Sequence, residues 1–181
     1  KAQMMRNHGA FLYGETKDAQ VLSLPYDGGE LAMIVILPAK ADGLAGLEKS
    51  MDAEGLRDCL SSLSLETDVT VALPKFKLEC EFLLNDALRA LGMKKAFDAS
   101  QADFSGMTGA KNLYIAAALH KAFVDVNEEG TEAAAATAVV NKARSEPREY
   151  HFTADHPFLF LIRDNKTGSI LFMGRVMDPT K

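Results

Sequence analysis

The sequence predicts an α+β fold in which antiparallel strands predominate. Two pairs of apolar runs are each joined by a short turn that contains glycine, and leucine-rich stretches recur at helical spacing between them. The chain has 181 residues, of which 48% are hydrophobic and 25% charged, a composition typical of a globular protein rather than a disordered one. We therefore expect sheets accompanied by a few short helices.

The first hairpin is predicted from two apolar runs, residues 21–24 and 31–37, that flank Gly28 and Gly29. The second run is apolar on both faces, which is typical of a central strand covered on both sides. The cover is expected to come from other parts of the chain.

Two short amphipathic helices are predicted next, because apolar residues recur at helical spacing on either side of residues 50–52. These residues are Leu44, Leu47 and Met51, followed by Leu56, Cys59, Leu60 and Leu63. Both helices are expected to cover the strands.

The middle of the chain alternates between strand and helix. Residues 69–73 and 76–80 alternate in polarity around Pro74, which predicts two strands with a bend between them. A leucine stripe over residues 84–91 predicts a helix that ends at Gly92, and the pattern over residues 113–126 predicts another strand.

A second hairpin closes the chain. The apolar runs 158–162 and 170–173 flank a polar turn over residues 164–168, and both strands are expected to be buried.

Composition argues against several classes of function. The net charge of −5 comes from 20 basic and 25 acidic residues with no basic cluster, which disfavours nucleic-acid binding. The apolar runs are shorter than the roughly 20 residues of a membrane-spanning helix. The four histidines and two cysteines lack the spacing of metal ligands, so neither a metal nor a cofactor is expected.

Residues 128–143 do not fit an ordinary connection. A threonine followed by a glutamate and four alanines favours a surface helix. At a period of two, however, every second residue from Thr131 to Ala143 is uncharged, so the segment is also compatible with a strand that has one small uncharged face, although alanine is a poor strand former. The residues alone leave both readings open.

Several motifs in this order along the chain resemble those of the serpin family of protease inhibitors. Residues 128–137 (EEGTEAAAAT) resemble the reactive-loop hinge of inhibitory serpins, and residues 152–160 (FTADHPFLF) resemble the family signature that follows this loop. Further matches are Met4-Met5 and residues 103–107, 120–122 and 172–179.

The resemblance implies the C-terminal half of a serpin fold, with residues 1–181 forming one partial domain. The chain would supply the B-sheet hairpins, pieces of the C-sheet, and two strands of sheet A on either side of a gap. A complete serpin has about as much chain again before Lys1, and this missing N-terminal half is expected to cover the doubly apolar strands.

The resemblance also implies a suicide-substrate inhibitor of serine proteases, or of cysteine proteases, with residues 128–148 as the bait loop. After cleavage the loop would insert into sheet A and distort the bound enzyme. The hinge residues are Glu128, Glu129, Gly130, Thr131, Glu132, Ala133, Ala134, Ala135, Ala136 and Thr137.

The family spacing places the cleaved bond at Arg144-Ser145, counted from both Gly130 and Phe152. An arginine there implies a trypsin-like target, because its guanidinium needs an acidic specificity pocket. Lys142 and Arg148 are competing basic positions.

No catalytic residue is predicted, and the protein is not expected to be an enzyme. The family uses the histidine that matches His120 as a hydrogen-bonding latch beneath the opening of sheet A. Ser105 lacks the surroundings of a hydrolase nucleophile, and the Asp155-His156 pair is followed by a proline-led strand.

Two alternatives remain at this point. The first is a non-inhibitory serpin that acts as a carrier, although such members usually have bulky, charged or proline residues in the hinge. The second is an inactive C-terminal fragment that acts as an interaction module. The sequence does not determine the compartment, and an extracellular location is favoured.

Overall fold

The computed structural model describes residues 2–128 and 148–180, which form nine strands, four α-helices and one 3-10 helix. The strands are β1 (Met4–Glu15), β2 (Ala19–Pro25), β3 (Leu31–Pro38), β4 (Ser64–Pro74), β5 (Phe76–Leu83), β6 (Leu119–Val126), β7 (Tyr150–Thr153), β8 (Phe158–Asp164) and β9 (Ile170–Val176). The helices are α1 (Leu44–Ser50), α2 (Ala53–Ser61), α3 (Asn85–Ala90) and α4 (Ser105–Thr108), with the 3-10 helix at Lys95–Phe97.

The chain divides into two compact units. The first comprises Lys1–Phe76 and Val126–Lys181, and the second comprises Lys77–Asp125. The first unit holds a seven-stranded sheet in the order β7-β4-β1-β2-β3-β8-β9. Its pairs are antiparallel except for β4 and β7, which run parallel.

Both predicted hairpins are present. β2 pairs with β3 across a turn in which Gly28 and Gly29 have φ angles of 79° and 69°, a region that glycine adopts without steric cost. β8 pairs with β9 across a turn that ends at Gly168, where φ is 76°. The glycines therefore set the turns, and the turns set the register of the strands.

The core of the first unit lies around β3, whose residues 32–37 are each at most 2% exposed. On one face, Ala32, Ile34 and Ile36 pack in a cluster with Leu47 of α1 and Cys59 of α2. The expectation that β3 needs the missing half of the protein as cover is therefore wrong, because this chain buries both of its faces.

The two covering helices separate where they were predicted to separate. The Asp52 carboxylate accepts hydrogen bonds from the backbone N–H groups of Glu54 and Gly55, at 3.0 and 2.9 Å, and thereby begins α2. Without this cap the first N–H groups of α2 would lack partners.

β9 differs from the prediction of a buried hairpin. It lies at one edge of the sheet, opposite β7, and Ile170, Leu171, Phe172 and Met173 are each 41–55% exposed. The apolar run is a strand as predicted, but the polarity pattern cannot show that no strand of residues 2–128 and 148–180 pairs with its outer side.

In the second unit, β5 and β6 are hydrogen-bonded neighbours. The expectation that two strands of one sheet lie on either side of a gap is therefore wrong for this pair. β6 also begins at Leu119 rather than Leu113. Residues 113–118 do not form a strand. Instead, the Asn85 side chain binds their backbone: it donates to the Ala116 carbonyl at 2.9 Å and accepts from the Ala118 N–H at 2.8 Å.

Candidate functional site

The predicted bait loop, residues 128–148, is described at its two ends only. Glu128 and Arg148 belong to the described residues. The other positions predicted for this loop lie outside the described residues, so their roles stay predictions: Glu129, Gly130, Thr131, Glu132, Ala133, Ala134, Ala135, Ala136, Thr137, Lys142, Arg144 and Ser145.

The first end is held by an ion pair. β6 ends at Val126, which is buried, and two residues later Glu128 Oε2 lies 2.6 Å from Lys75 Nζ. Lys75 directly follows β4, and its backbone N–H donates to the Gln3 carbonyl at 2.9 Å. The backbone of Lys75 is therefore held in place, and its side chain binds Glu128, the first residue of the predicted hinge.

The electrostatics of Glu128 follow from this contact. The charge-assisted hydrogen bond from Lys75 stabilises the carboxylate and lowers the pKa of Glu128 below its ordinary value of 4.5. Sequence reasoning identified Glu128 but missed Lys75. No local pattern marks this lysine, because its partner lies far along the chain.

The second end is held by aromatic contacts. The Arg148 guanidinium lies 4.9 Å from the centroid of the Tyr150 ring, and that ring lies 5.0 Å from the ring of Tyr13 at an interplanar angle of 48°. Tyr150 begins β7, where it pairs with Val69 of β4. Arg148, predicted as a competing cleavage position, is thus part of the attachment of the loop to the sheet.

Tyr13 is the buried centre of this attachment. Its hydroxyl donates to Glu15 Oε1 at 2.6 Å and accepts from Gln20 Nε2 at 2.8 Å. The same Gln20 amide donates to the backbone carbonyl of His151 at 3.2 Å, which joins β2 to β7. Burial and, secondarily, the Glu15 carboxylate raise the pKa of the Tyr13 hydroxyl, so it stays a neutral donor.

The motif over residues 152–160 is part of the core. Phe152 and Phe158 are at most 1% exposed, and Phe76 lies 5.9 Å from Phe158 and 5.5 Å from Phe160 between ring centroids. His156 is bound on both sides, with Nδ1 2.7 Å from Asp155 Oδ1 and Nε2 2.8 Å from the Pro38 carbonyl oxygen. Neither ring nitrogen is free to act as a base, so the arrangement is structural.

The Asp103–Met107 motif is also structural. Asp103 Oδ1 accepts from the N–H of Ser105 at 3.1 Å and from its hydroxyl at 2.6 Å, and Lys111 Nζ lies 2.7 Å from Asp103 Oδ2. These contacts, led by the hydrogen bond from Lys111, lower the pKa of Asp103 to about 2. The Ser105 hydroxyl is thus engaged by a carboxylate at the start of α4.

His120 lies on β6 with its side chain exposed. Within residues 2–128 and 148–180 its ring makes no hydrogen bond, and the latch role therefore stays a prediction. The same residues contain no cluster of three or more potential metal ligands, and none of their helices has the length and apolarity needed to span a membrane.

The ion pair at Glu128 leads to a pH-dependent prediction. Because the folded-state pKa of Glu128 is lowered, the pair stabilises the fold fully above about pH 4.5, and this contribution disappears as the pH falls through the folded-state pKa. In an NMR titration of the complete protein, we expect Glu128 to titrate below 4.5. In Lys75→Met its midpoint should return toward 4.5.

Lys77→Met provides the matched control, because Lys77 lies over the Phe123 ring at 4.9 Å and does not bind Glu128. An unchanged Glu128 midpoint in Lys75→Met would contradict the assigned cause.

Comparisons with known proteins match this chain almost end to end. The sequence model of the family described as "Serpin (serine protease inhibitor)" matches residues 1–179. Leukocyte elastase inhibitor A of Rattus norvegicus is 46% identical over 98% of this chain and 48% of its own length, and Serpin B3 of Homo sapiens is 49% identical over 98% and 46%. The chain therefore spans about half the length of the curated relatives it matches.

A solved structure agrees with these matches. Uncleaved ovalbumin superimposes with a TM-score of 0.83 at 32% identity, over 98% of this chain and 44% of the ovalbumin chain. The likeness confirms the α+β fold class and its correspondence to half of a larger fold.

Proposed function

Because the chain belongs to the serpin family and spans about half of a member, we propose that the protein containing it inhibits a trypsin-like serine protease, with Arg144-Ser145 as the bait bond. The name of the rat relative, leukocyte elastase inhibitor A, supports protease inhibition in general. The arginine supports the trypsin-like target, since a guanidinium needs an acidic specificity pocket.

The observation that carries the proposal is the separate attachment of the two ends of the loop. Glu128 is bound by Lys75 after β4, whereas Arg148 contacts Tyr150, whose ring packs against Tyr13 of β1. These contacts attach residues 128 and 148 to the sheet. The proposed bait residues lie between these two positions in the sequence. A cleaved loop whose first end continues from β6 can add to the sheet of β5 and β6 while its second end stays with β7.

The proposed reaction begins as ordinary proteolysis. The serine hydroxyl of the protease attacks the Arg144 carbonyl, the Ser145 nitrogen leaves with a proton, and an ester joins Arg144 to the enzyme. Insertion of the hinge as a new strand then precedes hydrolysis of the ester. Strand addition of this kind, of which serpin loop insertion is a recognised example, supplies backbone hydrogen bonds and buried area that can displace and distort the enzyme.

Trypsin provides the direct test. Incubation of the complete protein with trypsin should give a covalent adduct that survives denaturing electrophoresis, and mass spectrometry should place the ester at Arg144. We expect Arg144→Ala to lower the rate of adduct formation on the order of a hundredfold or more, because the acidic pocket then lacks its partner.

Lys142→Ala is the matched control and should react at the rate of the parent protein. If Lys142→Ala removed the adduct and Arg144→Ala did not, the bait bond would lie elsewhere. If trypsin cleaved the complete protein without an adduct, the inhibitory proposal itself would be wrong.

The missing N-terminal half is the partner that this activity requires. The described part of the chain supplies only β5 and β6 to the sheet that would receive the loop, and it leaves the apolar residues 170–173 of the β9 edge exposed. The isolated 181-residue chain is therefore proposed to be a non-inhibitory fragment. The extracellular location favoured from the sequence stays a prediction.

A further inference from the structure

His156 joins the connection between β7 and β8 to the end of β3. Its Nδ1 lies 2.7 Å from Asp155 Oδ1, and its Nε2 lies 2.8 Å from the Pro38 carbonyl oxygen. We propose that this histidine is a pH-dependent clamp, which is complete when the ring carries two protons and loses the bond to Pro38 when the ring carries one. The proposal concerns the attachment of one strand to the sheet and does not depend on protease inhibition.

Both neighbours of the ring are hydrogen-bond acceptors. A carboxylate oxygen and a backbone carbonyl have no proton to donate, so each contact needs a proton on the ring nitrogen that faces it. A neutral imidazole has one N–H, whichever tautomer it adopts. Its other nitrogen would then direct a lone pair at an acceptor oxygen no more than 2.8 Å away, and the two would repel each other. The doubly protonated ring is the form that satisfies both contacts.

The two contacts differ in strength, and this difference decides which one is lost. A hydrogen bond to a carboxylate is roughly twice as strong as one between neutral groups. The single proton of the neutral ring therefore stays on Nδ1, next to Asp155, and the proton on Nε2 leaves to water. The His156 side chain is only 17% exposed, so water does not readily replace the lost bond to Pro38.

Other charged groups near the ring come from three parts of the first unit. Glu15 at the end of β1 and His151 of β7 line one cavity beside His156, and Asp178 lines another with Asp155. Carboxyl groups are ordinarily ionised above about pH 5, whereas histidine changes charge between about pH 5 and pH 8. Of the groups named, the two histidines are therefore the ones that can respond in this range, and His151 is exposed.

The clamp acts on the strand that follows the predicted bait loop. β7 pairs with β4, and directly after β7 the Ala154 N–H donates to the Ala72 carbonyl at 2.9 Å. The bond from His156 to Pro38 adds a tie to β3, which is the neighbour of β8 in the sheet. When Nε2 loses its proton this tie is absent, and residues 150–157 should open more often.

Amide hydrogen exchange of the complete protein, followed by mass spectrometry over residues 150–157, tests the proposal. At about pH 5 this segment should exchange about tenfold more slowly in the parent protein than in His156→Gln, because the one nitrogen of a glutamine amide meets only one of the two acceptors. At about pH 8 the two proteins should exchange within about twofold of each other. His156→Arg stays charged at both pH values and should keep the protection at pH 8.

His151→Gln is the matched control, because it removes an exposed imidazole from β7 and should exchange like the parent protein at both pH values. Nitrogen-15 NMR of the histidine rings adds a second readout, in which Nε2 of His156 should lose its proton as the pH rises. Protection of the parent protein that equalled that of His156→Gln at both pH values, or exceeded it equally at both, would overturn the proposal. Loss of the proton from Nδ1, or an equal effect of His151→Gln, would also overturn it.

Discussion

The Thr131→Arg variant of the complete protein is expected to be cleaved by trypsin at the normal rate and to form almost no covalent adduct. At a period of two, Thr131 shares a small uncharged face with Ala133, Ala135 and Thr137. If that face enters a packed sheet, an arginine at position 131 must be buried without a partner, at a cost of several kcal/mol. Insertion then becomes slower than ester hydrolysis, and the inhibitor becomes a substrate.

Ala134→Arg is the matched control, because position 134 has the opposite parity and its side chain would point away from that face. It should keep most of the adduct yield on denaturing gels. If Thr131→Arg still formed adduct at the parental yield, or if both variants lost it equally, the assignment of residues 128–137 as an inserting hinge would be wrong.

The Leu161→Ala variant is expected to show the largest loss of stability. Leu161 is 1% exposed, pairs with Ile34 of β3, and belongs to the cluster beneath α1 and α2. Removing its side chain leaves a cavity among residues that cannot all collapse into it, and the expected cost is about 2–5 kcal/mol. In urea unfolding of the complete protein, the midpoint of the variant should lie at a lower urea concentration than that of the parent protein.

The same substitution at an exposed leucine provides the control. Leu91 is 84% exposed just after α3, so Leu91→Ala should change the free energy of unfolding by less than about 0.5 kcal/mol. A loss of similar size at both positions would show that burial in the β3 cluster does not govern the effect.

Much of the local structure was predictable. The two hairpins follow from glycines between apolar runs, and both are present with β2 paired to β3 and β8 paired to β9. The separation of α1 from α2 follows from Asp52, whose side chain caps the second helix. Interactions of this kind act within a few residues, so the pattern along the chain is enough to predict them.

The predictions that were wrong depended on neighbours distant in the sequence. Residues 113–118 alternate like a strand, but Asn85 binds their backbone near α3, and β6 starts only at Leu119. β3 and β9 are both apolar runs, yet β3 lies between two strands and β9 at an edge. Periodicity reports the polarity of a strand and does not report what lies beside it.

From its residues alone, this chain could be placed in its family, and its turns and short helices could be predicted, because these depend on motifs and on contacts close along the chain. The contacts at the two ends of the predicted bait loop could not be predicted in this way. Lys75 contacts Glu128, and Tyr13 contacts Tyr150, only after the sheet has assembled. Such pairs are decided by tertiary packing, since nothing in the spacing of two distant side chains fixes the distance between them.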